Sequence, residues 1–162
     1  MNILLHPIGI IHSPFTQLEK MPIQPAGAQS AQGVLEIYEP YAAALKDLEG
    51  FSHIYVIYYF HKSSSWKALV KPFLDQEERG IFATRAPNRP NPLGLSVLKL
   101  LKLENNIIEV DHVDILDGTP LLDIKPYVPQ FNKAKDVRIG WLSDYVDQVS
   151  HTISDQRFLD GK

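Results

Sequence analysis

The chain has no cysteine. That excludes disulfides, thiolate catalysis and cysteine-ligated metals together, and it fits a reducing, cytoplasmic setting. No apolar run approaches the roughly 20 residues that a membrane-spanning helix needs. Met1–Ile11 is too short, too lightly charged and too broken by proline for a signal peptide. Net charge is small: 16 lysines and arginines against 19 aspartates and glutamates leave −3. Bulk electrostatic binding of nucleic acid is therefore disfavoured. Nucleotide fingerprints are missing as well. Neither G-x-G-x-x-G nor G-x-x-x-x-G-K-[ST] occurs, so the doubly wound cofactor domain is not expected. There is no G-x-S-x-G, and Ser96 has no evident base partner, so serine hydrolysis gains no support. No internal repeat and no low-complexity segment interrupts the chain.

What is present suits one domain with a sizeable core: 162 residues, 44% hydrophobic, with seven Tyr and seven Phe. The most informative stretch is Gly80–Ser96, GIFATRAPNRPNPLGLS. Ile81, Phe82 and Ala83 read as a short apolar strand. Pro87, Pro90 and Pro92 then fix φ, remove backbone donors and push the preceding residues to extended geometry. This predicts a stiff loop, neither helix nor central strand, that presents Arg85, Arg89, Asn88 and Asn91. Rigidly held loops are where binding residues concentrate. Loop chemistry alone names no ligand, and a plain surface turn reads as well.

The remaining pattern is β-rich. Ile3–His12 reads as a strand region broken by Pro7 and Gly9, and residues 13–32 as a long irregular stretch. Val34–Tyr38 follows as a strand, and Pro40–Leu48 as a short helix with proline in its first turn. His53–His61 (HIYVIYYFH) is the strongest strand, apolar on both faces and so expected to be covered on both. Leu93–Leu103 and Ile107–Leu116 form a hairpin about Glu104-Asn105-Asn106. Leu121–Tyr127 follows the Asp117-Gly118-Thr119-Pro120 turn. Hairpin-linked strands with one helix predict a mainly β fold, a small antiparallel barrel. From Ile139, apolar Leu142, Tyr145, Val146, Val149 and Ile153 recur at helical spacing. The expected organisation is a barrel domain over residues 1–138 and a C-terminal helical tail over 139–162, packed on the barrel.

Three features stand out chemically. Asp114, Asp117 and Asp123 lie within ten residues, although Asp117-Gly118 also reads as an ordinary turn pair. His61 closes the strongest strand beside Phe60, where a barrel mouth meets its ligands. Arg79, Arg85, Arg89, Lys99 and Lys102 form an acid-free strip compatible with a phosphate or RNA contact, or with chance clustering. A metal centre is not expected: His53 and His61 stand about 27 Å apart on a straight strand, and His112 with Asp114 do not define a site.

These residues resemble the TsaA/TrmO family of S-adenosylmethionine-dependent tRNA methyltransferases. The matching pieces are Ile8-Gly9-Ile10, Ser13-Pro14, Gln24-Pro25, Phe51-Ser52-His53, Phe60-His61, ATRAPNRPNPLGLS and DILDGTPLLDIKPYVP, in order over about residues 7 to 131. The resemblance implies a non-Rossmann β-barrel methyltransferase that methylates N6 of threonylcarbamoyladenosine at tRNA position 37. It also implies a cytoplasmic homodimer with the cofactor near the subunit interface, in the short form that lacks the second domain of longer members. Carried over residue by residue, it puts cofactor contacts at Gln24, Pro25, Ala26, Phe60, His61, Arg85, Leu95, Asp114, Ile115, Leu116, Asp117 and Gly118. The carbamoyl group withdraws electrons from N6, so a base within hydrogen-bond reach is expected. His61 and Asp117 are both candidates. Arg89, Lys99 and Lys125 are the expected RNA contacts. The alternatives are a non-enzymatic RNA-binding barrel and a methyltransferase of the same fold with another small substrate.

Overall fold

A computed structural model describes residues 2–19, 21–23, 27–28, 30–63, 65–148, 151–155 and 158. Its eight strands are β1 (Gly9–His12), β2 (Gly33–Ile37), β3 (His53–Tyr59), β4 (Leu69–Val70), β5 (Arg79–Gly80), β6 (Leu93–Glu104), β7 (Ile107–Asp111) and β8 (Thr119–Pro126). Six of them close a barrel in the order β1-β2-β7-β6-β3-β8, with every pairing antiparallel. Closure leaves no free sheet edge to template aggregation. β4 and β5 form a separate two-stranded ribbon in the excursion between β3 and β6.

The period-two rule explains the core. Ile54, Val56 and Tyr58 of β3 point inward, as do Gly94, Ser96 and Leu98 of β6. Ile11, Leu35, Ile37, Ile108, Val110 and Leu121 complete an interior in which every one of these six is at most 1% exposed. A register shift between Leu100 and Lys102 changes the phase of β6, so Leu100 and Leu103 both pack on that core. Gly94 is required by close approach. A Cβ there would sit 2.2 Å from the ring of Tyr58, its partner across the β3–β6 ladder.

Several sequence expectations are corrected. β3 alternates buried with part-exposed residues and ends at Tyr59, so its outer face is not fully covered. Its outer row is Tyr55, Ile57 and Tyr59. Ile81–Ala83 is a 3-10 turn, not a strand: Ile81 N extends the ribbon by one bond to Ala68 O at 2.9 Å, and Thr84 N then turns back to Ile81 O at 3.2 Å. β7 stops at Asp111, since His112 adopts φ +66 and breaks the ladder. The helix expected at Pro40–Leu48 is a 3-10 helix over Glu39–Leu45, which buries Leu45 alone. Ile3–His12 is strand only from Gly9.

The C-terminal amphipathic helix is likewise replaced, over the described residues, by 3-10 turns at Gly140–Asp144 and Val146–Gln148. Gly140 at φ +58 interrupts helical geometry, and a lone helix of this length is marginal without an apolar surface to dock on. The tail's side chains reach the loops instead of the staves. Trp141 Nε1 donates to Ala83 O at 2.8 Å, and Ser154 Oγ accepts from Met21 N at 2.9 Å. Val149 of the predicted stripe lies outside the described residues.

Candidate functional site

At one mouth of the barrel, three segments converge. β3 runs out through Phe60 and His61; the proline-rich loop contributes Pro87 and Asn88; the turn after β7 contributes Asp114, Ile115 and Leu116. Together with Tyr58, Thr119, Leu18, Met21 and Phe158 they line a cavity of about 70 Å3. It shares Leu18, Lys62 and Leu116 with an adjoining open groove of about 320 Å3.

The proline-rich loop is held by its own polar groups. Arg89 Nη1 donates to Thr84 O at 2.8 Å and, at 3.3 Å, to Ile81 O and Ala86 O. Ser63 Oγ shares its one proton between Asn88 Oδ1 and Pro87 O, each at 3.2 Å, which fixes buried Asn88 against the end of β3. Prolines limit what the loop can do, and these bonds select one of the remaining shapes.

Behind the cavity wall lies a polar chain. Ser96 Oγ donates to Asp114 Oδ1 at 2.7 Å, and the Tyr58 hydroxyl stands 3.2 Å from the same Oγ. Because serine has a single proton, already given to Asp114, Tyr58 is the donor in the second bond. Burial pushes the Asp114 carboxyl up to about 6, against the opposing pull of Ser96, its own backbone N–H and the Arg85 charge. Burial, and next the charge of Asp114, push the Tyr58 phenol well above its usual range. His61 is moved down, first by burial and then by Lys62. Its Nδ1 lies 3.5 Å from Thr119 Oγ1, whose proton goes to Leu116 O at 2.7 Å.

The structure thus gathers Phe60, His61, Asp114, Ile115 and Leu116 around one cavity, with exposed Arg85 acting on Asp114 through its charge. Three expected residues stand elsewhere. Asp117 Oδ1 accepts from Ser13 N at 3.0 Å and lies 3.6 Å from His12 Nδ1, so its carboxylate fastens the loop after β1. Gly118 supplies the φ of +73 for that turn. Leu95 points outward from β6, away from Ser96. Gln24, Pro25 and Ala26 lie outside the described residues. Lys99 pairs with His53, and Lys125 with Tyr55, at the end of β3 roughly 20 Å from Phe60.

Sequence reasoning missed Tyr58, Ser96, Thr119 and Phe158. For Ser96 a signal existed: with Gly94 and Leu98 it occupies the inward row of β6, where a polar residue needs a partner. Phe158 had none, since its place depends on where the tail turns back.

The tRNA-methyltransferase O N-terminal domain matches residues 10–133. A probable S-adenosyl-L-methionine-binding protein of Pyrococcus abyssi is 49% identical over 98% of this chain and 86% of its own. The tRNA (adenine(37)-N6)-methyltransferase of Escherichia coli is 38% identical over 75% of this chain, which spans 56% of that enzyme. The crystal structure of TrmO from Pseudomonas aeruginosa superposes with a TM-score of 0.73 at 39% identity, covering 87% of this chain and 63% of that one.

Proposed function

The chain belongs to the tRNA-methyltransferase O family, and on that premise we propose that it is a methyltransferase that uses S-adenosylmethionine to methylate N6 of threonylcarbamoyladenosine at tRNA position 37. One observation carries the reading: three segments distant in sequence, each a family motif, meet at a single cavity. The lining fits the cofactor. Phe60, Tyr58, Ile115 and Leu116 offer apolar surface to a purine, Asp114 offers negative charge to a cationic centre, and Arg85 offers a guanidinium to a carboxylate or a phosphate. Gln24, Pro25 and Ala26 remain proposed contacts because neighbouring Met21 lines the same cavity. Leu95 remains a proposed contact through the assembly described next, and Asp117 and Gly118 remain so as the residues that directly follow Asp114–Leu116 in the same motif.

Bound S-adenosylmethionine supplies a methyl group activated by a sulfonium. The protein's share is to position, to exclude water and to receive a proton. A loop already ordered by three prolines and by Arg89 loses little entropy when a ligand binds. Neutral His61 at the cavity is a candidate proton acceptor. Asp117, committed to Ser13, would act only if that turn opened.

The enclosed cavity of about 70 Å3 is by itself well short of the ~300–1,000 Å3 usual for sites that enclose a drug-sized ligand, and the groove of about 320 Å3 that continues it lies open. We propose that a second copy completes it. The outer faces of β3 and β6 carry the cross-strand pairs Tyr55–Val97, Ile57–Leu95 and Tyr59–Leu93. Tyr59, Leu93 and Leu95 are 39%, 38% and 46% exposed. A homodimer through this row would cover it and bring Leu95 to the cofactor of the facing subunit. Lys99 and Lys125, at the far end of β3, would then serve the partner's tRNA, alongside Arg89. The reaction and the cysteine-free sequence together suggest the cytoplasm.

Calorimetry with S-adenosylhomocysteine, followed by mass spectrometry of nucleosides from treated tRNA, tests the reading. Micromolar binding and a 14-dalton gain on threonylcarbamoyladenosine, about one methylene, are expected. Salt-dependent RNA binding without cofactor affinity would identify the non-enzymatic barrel. Cofactor binding with unchanged tRNA would point to another substrate.

A further inference from the structure

We propose that Asp114 takes the proton from the substrate nitrogen, and that Ser96 and Tyr58, strung behind it, are the positioning residues that aim its carboxylate; this rests on the methyltransferase reading above. The geometry is direct. Asp114 is the one carboxylate among the described residues that line the cavity. Its Oδ1 is taken by Ser96 at 2.7 Å, and Ser96 is itself held by the buried hydroxyl of Tyr58. Tyr58 in turn is clamped from below by Gly94, where no side chain fits, and from the side by Phe60, whose ring meets it edge-on at 5.3 Å. A carboxylate braced through two hydroxyls to the barrel core, and by its own backbone N–H, is held in one orientation at the cavity wall. His61 is less firmly held, because its bond to Thr119 is at the 3.5 Å limit.

In the step itself, the electron pair freed from the N6–H bond stays on nitrogen as nitrogen attacks the methyl carbon. The carbon–sulfur bond breaks with its pair left on sulfur, and the proton ends on the Asp114 carboxylate, from which water removes it. A proton acceptor works best when its affinity lies near working pH, which suits a carboxyl raised by burial. The groups that face or act on Asp114 are Tyr58 on β3, His61 and Lys62 just beyond it, Ser96 on β6 and Arg85 on the proline-rich loop.

The experiment pairs carbon-13 NMR titration of the Asp114 carboxyl with pH profiles of kcat/KM for S-adenosylmethionine, in the wild type and in Ser96→Ala, Tyr58→Phe, Asp114→Asn and His61→Gln. The wild-type carboxyl is expected to titrate near 6 with an acid limb of activity beside it. Ser96→Ala removes a bond to the ionised form, so both midpoints should rise by about one unit, and Tyr58→Phe should raise them by less. Asp114→Asn should lower kcat about 10^2- to 10^4-fold and abolish the limb. An Asn variant within tenfold of wild type, a carboxyl midpoint indifferent to Ser96→Ala, or a limb that vanishes with His61→Gln instead would each overturn the proposal. Those outcomes all presuppose a wild type that binds S-adenosylhomocysteine and methylates tRNA. A wild type that does neither would remove the underlying reading, and the proposal with it.

Discussion

The barrel holds its order through thirteen buried residues in one cluster, whereas the excursion between β3 and β6 has only Val70, Ile81 and Ala86 as a buried apolar cluster of its own among the described residues, with Phe158 from the tail against it. The excursion compensates with polar fastenings. Arg79 holds buried Asp75 through Nε at 2.8 Å and Nη2 at 2.7 Å, and lies 5.8 Å from the centre of the Trp141 ring. Arg89 ties three carbonyls, and Trp141 ties Ala83. Hydrophobic burial is non-directional and makes a cooperative body. Side-chain bonds to backbone are directional, and they set the shape of a loop without making it part of that body. The candidate site lies on the seam, with Asp114 bonded to the barrel through Ser96 and influenced by the excursion through Arg85.

The comparison can be broken at several strengths. Leu98→Ala removes a fully buried side chain from the barrel, and the cost should be about 2–5 kcal/mol, read as a lower midpoint in urea at unchanged slope. A loss below about 1 kcal/mol would mean that the interior collapses around the gap.

Asp114→Asn probes the seam. The carboxyl binds its proton more tightly folded, at about 6, than at its ordinary 3.8. The folded state therefore holds the extra proton between those values, and wild-type stability falls as pH rises from about 4 to 6. Above that window the buried anion carries its full cost. The Asn variant should be more stable than wild type by roughly 2–3 kcal/mol at pH 7.5 and equal to it near pH 4. A constant difference at both pH values would deny the linkage. Greater stability with lost turnover is the expected mark of a group kept for function.

Arg89→Ala sharpens the contrast on the excursion side. Amide exchange should quicken about tenfold or more across residues 81–89, while the barrel amides keep their protection. Matching loss in both regions would show a single cooperative unit. The smallest effect belongs to Trp141→Phe, which deletes the bond to Ala83 and should cost about 0.5–1.5 kcal/mol, with faster proteolysis confined to the tail.

The same contrast divides what could be read beforehand. Barrel staves were legible because alternation and turn residues are local: Asn105 takes φ +55 at the tight turn that the Asn-Asn pair implies, and Ile54, Val56 and Tyr58 fall on one face. The irregular loop was legible from three prolines, and the structure brings the motif residues Phe60, His61 and Asp114 to one cavity. The tail was misread. Its helical period is real, yet Trp141 bridges to Ala83 and Arg79 from a 3-10 turn. Asp117 and Asp114 show the limit most clearly. Three residues apart in one motif, one fastens a neighbouring loop and the other faces the cavity.

Amino-acid order alone determined the antiparallel strands, the stiff arginine-bearing loop and the family, because each is written in short-range pattern or in unbroken motif. Only the closed barrel decided that Ser96 would meet both Asp114 and Tyr58, and that Asp117 would be drawn to Ser13. Those outcomes depend on which staves become neighbours across 18 to 104 residues of chain, and closure of the sheet, not local propensity, fixes that.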